Sequence, residues 1–201
     1  MSGDGIDRLI VQEVAPRDGL QMESTFVATE DKIDLIDELS LAGFTRIEAG
    51  SFVSPKAVPA LRDSDAVFRR ILRRTGVLFV ALVVNRRGAE RALEACANEW
   101  NLVMSASETH NRANVRMSCE ASLAGFGQII RLARGMPVTL NGTVATAFGC
   151  PYEGPIDEGR VLEIVETYLG MGMHGVTLAD TTGMANPRQV ARLVEIGRAH
   201  V

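Results

Sequence analysis

The sequence predicts an α/β fold, namely a (β/α)₈ TIM barrel that is incomplete and contains about six β-α units. Three observations favour this fold. Short apolar runs alternate with longer amphipathic stretches, no GxGxxG string follows the first apolar run, and polar residues end nearly every predicted strand. The chain has 201 residues. A complete barrel takes about 250 residues, so we expect roughly two units to be missing.

The strands are predicted from short runs that are rich in β-branched and apolar residues. The run at 77–84 is apolar throughout, as expected of a strand that is buried on both faces. Strands that alternate with helices imply a parallel sheet with right-handed crossovers. The predicted strands are residues 9–14, 45–49, 77–84, 100–105, 137–146 and 175–179.

The helices are predicted from apolar residues that recur on one face and from signals at the helix ends. In the first helix Ile33, Ile36 and Leu39 share a face, and acidic residues occupy the first turn. Thr29 is its expected N-cap and Gly43 its expected stop. The predicted helices are residues 29–42, 64–74, 88–99, 118–135, 157–171 and 187–195.

Two arrangements of such units compete, an open doubly wound sheet and a barrel. A doubly wound dinucleotide-binding domain has GxGxxG after its first strand, whereas residues 16–19 here are Pro-Arg-Asp-Gly. Polar side chains from many strand ends that converge on one rim are typical of the barrel. These side chains are Arg17, Asp18, Glu48, Asn85, Ser105, Ser107, Thr146 and Asp180.

Composition indicates one soluble globular domain, which we expect to span residues 1–195. The net charge of −4 gives no basic surface for nucleic acid, so no nucleic-acid partner is expected. No apolar run reaches the roughly 18 residues of a membrane span, and because the first residues include no hydrophobic segment we expect no secretory signal. The three cysteines are odd in number and widely spaced, which favours a reducing, cytoplasmic location.

Arg17 and Asp18 directly follow the first predicted strand. Neighbouring opposite charges at a barrel mouth can divide two tasks: the carboxylate can bind a hard divalent cation, and the guanidinium can bind an anionic oxygen. A simple ion pair at the rim is the alternative interpretation. Their spacing alone leaves both open.

Five segments, in the same order, resemble the 3-hydroxy-3-methylglutaryl-CoA lyase family. The RDG string and the Asp-Thr pair are shared with a wider superfamily that includes isopropylmalate and homocitrate synthases. The strings SFVSPK and GCPYEG are more specific to the lyases. The five segments are EVAPRDGLQ (13–21), IEAGSFVSPK (47–56), SASETHNRAN (105–114), FGCPYEG (148–154) and LADTTG (178–183).

This resemblance implies a metal-dependent lyase that cleaves 3-hydroxy-3-methylglutaryl-CoA, an acyl-CoA, to acetoacetate and acetyl-CoA. It makes Asp18 a metal ligand, and an oxygen-rich site suits Mg²⁺ or Mn²⁺. It makes Arg17 the group that stabilises the enolate oxygen. Glu48 and Asp180 are expected near the metal and the substrate hydroxyl, and Glu48 is also a candidate salt-bridge partner of Arg17. The residues expected to orient the substrate are Gln21, Ser51, Asn85 and Thr181.

The resemblance gives no catalytic role to the cysteines and histidines of this chain. Cys150 is expected to pack at the rim, because the family's catalytic cysteine lies in a later loop. His110 is expected in the loop after the fourth strand without a metal role. His174 is expected at the opposite end of the barrel, where residues serve stability.

The resemblance also predicts that part of the site is missing. In the family a His-x-His pair of metal ligands ends strand seven, and a cysteine loop and an asparagine ligand follow near strand eight; none of these occurs here. Residues 196–201 do not resemble the family, and we expect them to be a non-native tail. We therefore expect the 201-residue chain alone to bind metal weakly and to be inactive.

Two other functions remain open at this point. One is a related enzyme that condenses an acyl-CoA with a 2-oxo acid, as isopropylmalate and homocitrate synthases do. The other is a non-catalytic barrel fragment. The sequence leaves a homo-oligomer open as well.

Overall fold

The computed structural model describes residues 9–199, and it contains a single sheet of six parallel strands with helices on one face. The strands follow one another in chain order across the sheet, which is the order of a barrel and not of a doubly wound sheet. The incomplete barrel is therefore confirmed. The strands are β1 (Gln12–Glu13), β2 (Arg46–Ser51), β3 (Leu78–Val83), β4 (Glu99–Ser105), β5 (Thr139–Ala145) and β6 (Gly175–Leu178).

Residues 9–199 contain seven α-helices, of which six lie between strands and the seventh follows β6. A π-helical turn (Ala15–Gly19) follows β1, and a 3-10 turn (Pro59–Leu61) precedes the second helix. The helices are α1 (Thr29–Leu41), α2 (Ser64–Arg70), α3 (Arg86–Glu94), α4 (Glu108–Val115), α5 (Cys119–Ala133), α6 (Glu158–Gly170) and α7 (Pro187–Ala199).

The two faces of the sheet differ in polarity. Successive side chains of a strand point to opposite faces. In β4, Trp100, Leu102 and Met104 belong to the hydrophobic core that the helices cover. The alternate residues Glu99 and Asn101 are buried as well, but they are polar and hydrogen-bonded. The helix-facing side therefore carries the apolar core, and the concave side carries a polar interior that leads towards the strand ends.

The first strand and the second helix are shorter than the sequence predicts. β1 has two residues, because Leu9, Ile10 and Val11 are exposed and β1 pairs only with β2. Helix α2 ends at Arg70 and not at residue 74. Arg73 lies outside the helix, and its side chain donates to the carbonyl oxygens of Phe68 and Ala95 at 2.6 and 2.9 Å.

Two further sequence predictions about helices are wrong. Residues 108–115 form helix α4, so His110 lies in a helix and not in a loop. Ala28 is the N-cap of α1 and gives no side-chain cap; Thr29 is the first helical residue, and its hydroxyl donates to Asp63 at 2.8 Å. Gly43, with φ of +100°, ends the helix as expected, since this backbone conformation favours glycine.

No helix in residues 9–199 is both long enough and apolar enough to cross a lipid bilayer. Helix α7 continues to Ala199, past the predicted boundary at residue 195. Residues 200 and 201 lie outside the described residues, and so do the side chains of 196–199. The division into a domain at 1–195 and a tail at 196–201 stays a prediction.

The close contact between β5 and α6 gives a test of the core. A Cβ added to Gly142 would overlap the Tyr168 ring and would lie 2.6 Å from the Met173 sulfur. Because both neighbours are buried, we expect Gly142→Ala to lower the free energy of unfolding by about 2–3 kcal/mol, measured by urea denaturation.

The control is the same substitution at Gly125, which lies in helix α5 with nothing within 4 Å of an added Cβ. There the change should raise stability by about 0.5–1 kcal/mol, because alanine loses less backbone entropy in a helix. Equal effects of the two substitutions would contradict the packing described here.

Candidate active site at the strand ends

The π-helical turn after β1 places two of the predicted site residues at the strand ends. The backbone N–H groups of Arg17 and Asp18 both donate to the Val14 carbonyl, at 3.0 and 2.7 Å. The Glu13 carboxylate fixes the start of the turn by accepting from the N–H groups of Val14 and Ala15. This local hydrogen bonding directs Arg17 and Asp18 away from β1 and towards β2.

Arg17 lies between two carboxylates of opposite exposure. Its Nε donates to Glu48 Oε1 at 3.0 Å, and its Nη1 donates to Asp18 Oδ1 at 2.5 Å. The Glu48 side chain is 2% exposed and that of Asp18 is 60% exposed. The salt-bridge interpretation of Glu48 thus agrees with the geometry. A buried charge that loses its partner costs about 3–5 kcal/mol, so each member of the buried pair holds the other in place.

The polar interior continues below this pair. Gln12 donates to Glu48 Oε2 at 3.3 Å and accepts from Arg46 Nε at 2.5 Å. Arg46 also forms an ion pair with Glu99, whose second oxygen accepts from Thr139 at 3.1 Å. Burial raises the pKa of Glu99 above its ordinary value, and repulsion from Glu48 adds to the rise, while Arg46 and Thr139 oppose it.

The sequence interpretation missed Gln12, Arg46 and Glu99. One signal could have found Arg46 and Glu99: Arg46 and Glu48, like Glu99 and Asn101, are polar residues two apart in a strand, with an apolar residue between them. Because period-two alternation assigns such residues to one face, the pattern predicts a polar face opposite the helices.

Asp180 and Thr181 follow β6 and bind the backbone of the loops around them. Asp180 Oδ1 accepts from the Met184 N–H at 2.9 Å and from the Ala185 N–H at 3.3 Å. Thr181 Oγ1 accepts from the Thr146 N–H at 2.8 Å, which ties the end of β5 to the loop after β6. Within residues 9–199, no hydrogen bond or ion pair links Asp180 to Arg17 or Asp18. The structure therefore joins Arg17, Asp18 and Glu48 directly, and leaves Asp180 outside their contacts.

The residues predicted to orient the substrate on the first three β-α units differ in whether their polar atoms already have hydrogen-bond partners. Ser51 is 2% exposed, and its Oγ has no hydrogen-bond partner within the described part of the chain. Asn85 is the N-cap of α3 and accepts from the Gly88 N–H at 2.8 Å, so its carbonyl oxygen already serves the helix. Gln21 lines a cavity of about 410 Å³ between the loops that follow β1 and β2.

A second polar cluster lies where β4 and β5 end. Ser105 Oγ and His110 Nδ1 are 2.6 Å apart, and Ser107 caps α4 by accepting from the His110 N–H at 3.0 Å. Burial lowers the pKa of His110, and the charge of Glu153 opposes this in part. Cys150 is fully buried and donates to Ser107 Oγ at 3.1 Å, in agreement with the expected packing role.

A metal site would need more ligands than these elements bring together. Within residues 9–199, no group of three or more histidine, cysteine, aspartate or glutamate side chains has a geometry that could hold a metal ion. Asp18 is an exposed carboxylate and could supply one oxygen ligand. A single carboxylate is a weak site for Mg²⁺ or Mn²⁺, so the described residues do not form a complete site.

Comparison with known proteins gives consistent matches along the chain. A family model described as HMGL-like matches residues 8–201. A solved structure of an HMG-CoA lyase from Acinetobacter baumannii, in complex with coenzyme A and 3-methylmalate, superposes with a TM-score of 0.93 at 57% identity. This match covers 96% of the chain and 63% of that protein.

Two curated relatives give the same result at lower identity. Hydroxymethylglutaryl-CoA lyase YngG of Bacillus subtilis is 45% identical over 94% of the chain and 63% of its own length. The mitochondrial hydroxymethylglutaryl-CoA lyase of Rattus norvegicus is 41% identical over 90% of the chain and 55% of its own length. The chain thus spans less than two thirds of the length of these relatives.

The raised pKa of Glu99 predicts a pH dependence of stability. A carboxyl whose pKa is raised by folding binds a proton more tightly in the folded state. The free energy of unfolding therefore falls as the pH rises from the ordinary pKa of 4.5 through the raised pKa of Glu99. A pKa of Glu99 that is higher by one in the folded state adds about 1.4 kcal/mol to the free energy of unfolding at low pH. Glu99→Gln should remove this component, as measured by urea denaturation between about pH 4 and 8.

The matched control is Glu163→Gln, since the Glu163 side chain is 69% exposed and its carboxylate pairs with Arg160 on the helix surface. The absolute stability of Glu99→Gln will change as well, because Arg46 loses its charged partner. The slope with pH is the relevant quantity. An unchanged slope in Glu99→Gln would show that Glu99 does not titrate as described.

Proposed function

The chain belongs to the HMGL-like family, and on this premise we propose that the complete protein cleaves 3-hydroxy-3-methylglutaryl-CoA to acetoacetate and acetyl-CoA. The observation that supports this most directly is Arg17, a cation held at the strand ends by buried Glu48 beside exposed Asp18. The coenzyme A in the A. baumannii lyase supports an acyl-CoA as the substrate class.

The reaction is a retro-Claisen cleavage. A base removes the proton of the tertiary hydroxyl, the hydroxyl-bearing carbon becomes a ketone, and the bond to the neighbouring carbon breaks. The electron pair of that bond passes into the thioester, which becomes an enolate. Protonation of the enolate carbon then gives acetyl-CoA. The protein must hold a positive group at the enolate oxygen, where negative charge develops.

Arg17 has the donors for this role. A guanidinium carries five N–H groups in fixed directions. Glu48 and Asp18 each take one of them, so the others remain for the enolate oxygen. Because Glu48 is buried and fixes the Nε side, the guanidinium is oriented before the substrate binds. Such preorganised donors stabilise developing charge without the cost of reorientation.

We assign different tasks to the two remaining carboxylates. Both oxygens of Glu48 accept hydrogen bonds, and the side chain is buried, which suits it to orient Arg17. Asp180 is exposed and, within residues 9–199, accepts from the backbone N–H groups of Met184 and Ala185, which suits it to take the hydroxyl proton after a small rearrangement of its loop. The proton acceptor is therefore proposed to be Asp180.

We also propose a divalent cation, Mg²⁺ or Mn²⁺, with Asp18 as one ligand. We propose that further ligands come from other parts of the complete protein, since no group of three or more histidine, cysteine, aspartate or glutamate side chains in residues 9–199 could hold the ion. Among the residues proposed to contact the substrate, Ser51 is the strongest candidate, because its buried hydroxyl has no hydrogen-bond partner among residues 9–199. Gln21, Asn85 and Thr181 remain proposed contacts, and a cytoplasmic location and homo-oligomeric assembly remain predictions.

The proposal predicts that Arg17→Gln lowers kcat for the cleavage by about 10²–10³-fold, because one donor to a developing oxyanion has an effect of this size. The assay is release of acetoacetate from 3-hydroxy-3-methylglutaryl-CoA by the complete protein, with Mg²⁺ or Mn²⁺ added. KM should change much less, since the charge develops in the transition state.

The control is Arg70→Gln, because Arg70 is exposed at the end of α2 and pairs with Glu30 on the surface. A surface ion pair of this kind contributes about 0–1 kcal/mol, so this variant should keep its kcat. A wild-type protein that releases no acetoacetate, or an Arg17→Gln variant with undiminished kcat, would refute the proposed function.

A further inference from the structure

The side chain of Gln12 links the Arg17–Glu48 pair to a second ion pair in the interior. Its Oε1 accepts from Arg46 Nε at 2.5 Å, and its Nε2 donates to Glu48 Oε2 at 3.3 Å. Arg46 in turn is paired with Glu99. Gln12 is thus the neutral residue between two arginine–glutamate pairs.

The strand register explains why Gln12 reaches both partners. Gln12 of β1 lies opposite Arg46 of β2. Glu48 is two residues beyond Arg46, so its side chain projects from the same face of the sheet. Gln12 therefore lies beside Arg46, whose side chain can only donate, and Glu48, whose carboxylate accepts, lies two residues nearer the strand ends.

Chemistry also fixes the orientation of the Gln12 amide. A guanidinium only donates, so the amide atom that faces Arg46 must be the oxygen. An ionised carboxylate only accepts, so the atom that faces Glu48 must be the nitrogen. Arg46 is itself held by Glu99, and Glu99 by Thr139 at 3.1 Å. The direction of the Gln12 N–H is therefore set by contacts that extend across the sheet to β5.

We propose that Gln12 is a positioning residue for Arg17, acting through Glu48. Glu48 is 1% exposed, so water cannot readily replace a lost partner. With Gln12 in place, Oε2 is occupied and Oε1 is presented to Arg17 Nε. Without the Gln12 N–H, a buried carboxylate oxygen is left unsatisfied, and Glu48 turns towards other donors, Arg46 among them. Arg17 then loses its fixed orientation.

The importance of this orientation for the reaction rests on the proposed function, in which Arg17 stabilises the enolate. The contact itself does not rest on it. The test therefore uses two measurements on the complete protein, one of the reaction and one of the Arg17 side chain in the absence of substrate.

The test variant is Gln12→Met, which keeps the length of the side chain and removes both hydrogen bonds. We expect kcat for acetoacetate release to fall about tenfold with little change in KM, because the N–H removed supports a charged group. We also expect the Arg17 Nε–H, observed by NMR and assigned by its loss in Arg17→Gln, to exchange with solvent faster than in the wild type.

The matched control is Thr143→Val, which removes one buried hydrogen bond of the same interior, from Thr143 to Asn101 at 2.7 Å, far along the sheet from Glu48. If Gln12 only stabilised the fold, both variants would lower the thermal unfolding temperature, and neither would change kcat or the exchange rate of the Arg17 Nε–H. We expect Gln12→Met to change kcat and this exchange rate, and Thr143→Val to change neither.

The two proposals fail in different ways. A wild-type protein without cleavage activity refutes the proposed function, while the Arg17 exchange rate still decides the role of Gln12. An Arg17 Nε–H that exchanges equally in the wild type and in Gln12→Met overturns the positioning role, whatever the activity.

Discussion

The buried ion pair between Arg17 and Glu48 is the interaction on which the site depends. Glu48 lies within the polar interior of the sheet, and Arg17 reaches it from the turn after β1. β1 has only two residues and lies at one edge of the sheet, so it has little backbone pairing of its own. The side-chain contacts of Arg17 and Gln12 with β2 therefore help to hold this edge and the functional cation together.

This pair exists because the concave face of the sheet is polar. A fully apolar interior would leave the charge of Glu48 without partners, at a large cost in free energy. Here Arg46, Glu99 and Thr139 continue the hydrogen bonding away from Arg17, and Asn101 and Thr143 form a similar contact further along β4 and β5, the strands of Glu99 and Thr139. The apolar core is confined to the opposite face, where the helices pack. Stability and function thus occupy different sides of the same strands.

Hydrogen bonds of polar side chains, most of them to backbone N–H groups, stabilise the loops at the strand ends. Thr181 joins the ends of β5 and β6, and Ser107 caps α4 while it accepts from Cys150. Asp180 closes the loop before α7. These contacts give several predicted site residues a structural task as well. For Asn85, the helix cap by itself explains the residue, whereas Ser51 has a buried hydroxyl without a partner in residues 9–199.

The sequence by itself determined the alternation of strands and helices, the barrel order and the family, because these depend on local periodicity and on contiguous strings such as SFVSPK and GCPYEG. It also placed Arg17, Asp18 and Glu48 in one site. It did not predict helix α4, the short β1 or the roles of Gln12, Arg46 and Glu99. Only the tertiary structure decided these, because residues 12, 46 and 99 meet through strand register and the curvature of the sheet, which no short window of sequence contains.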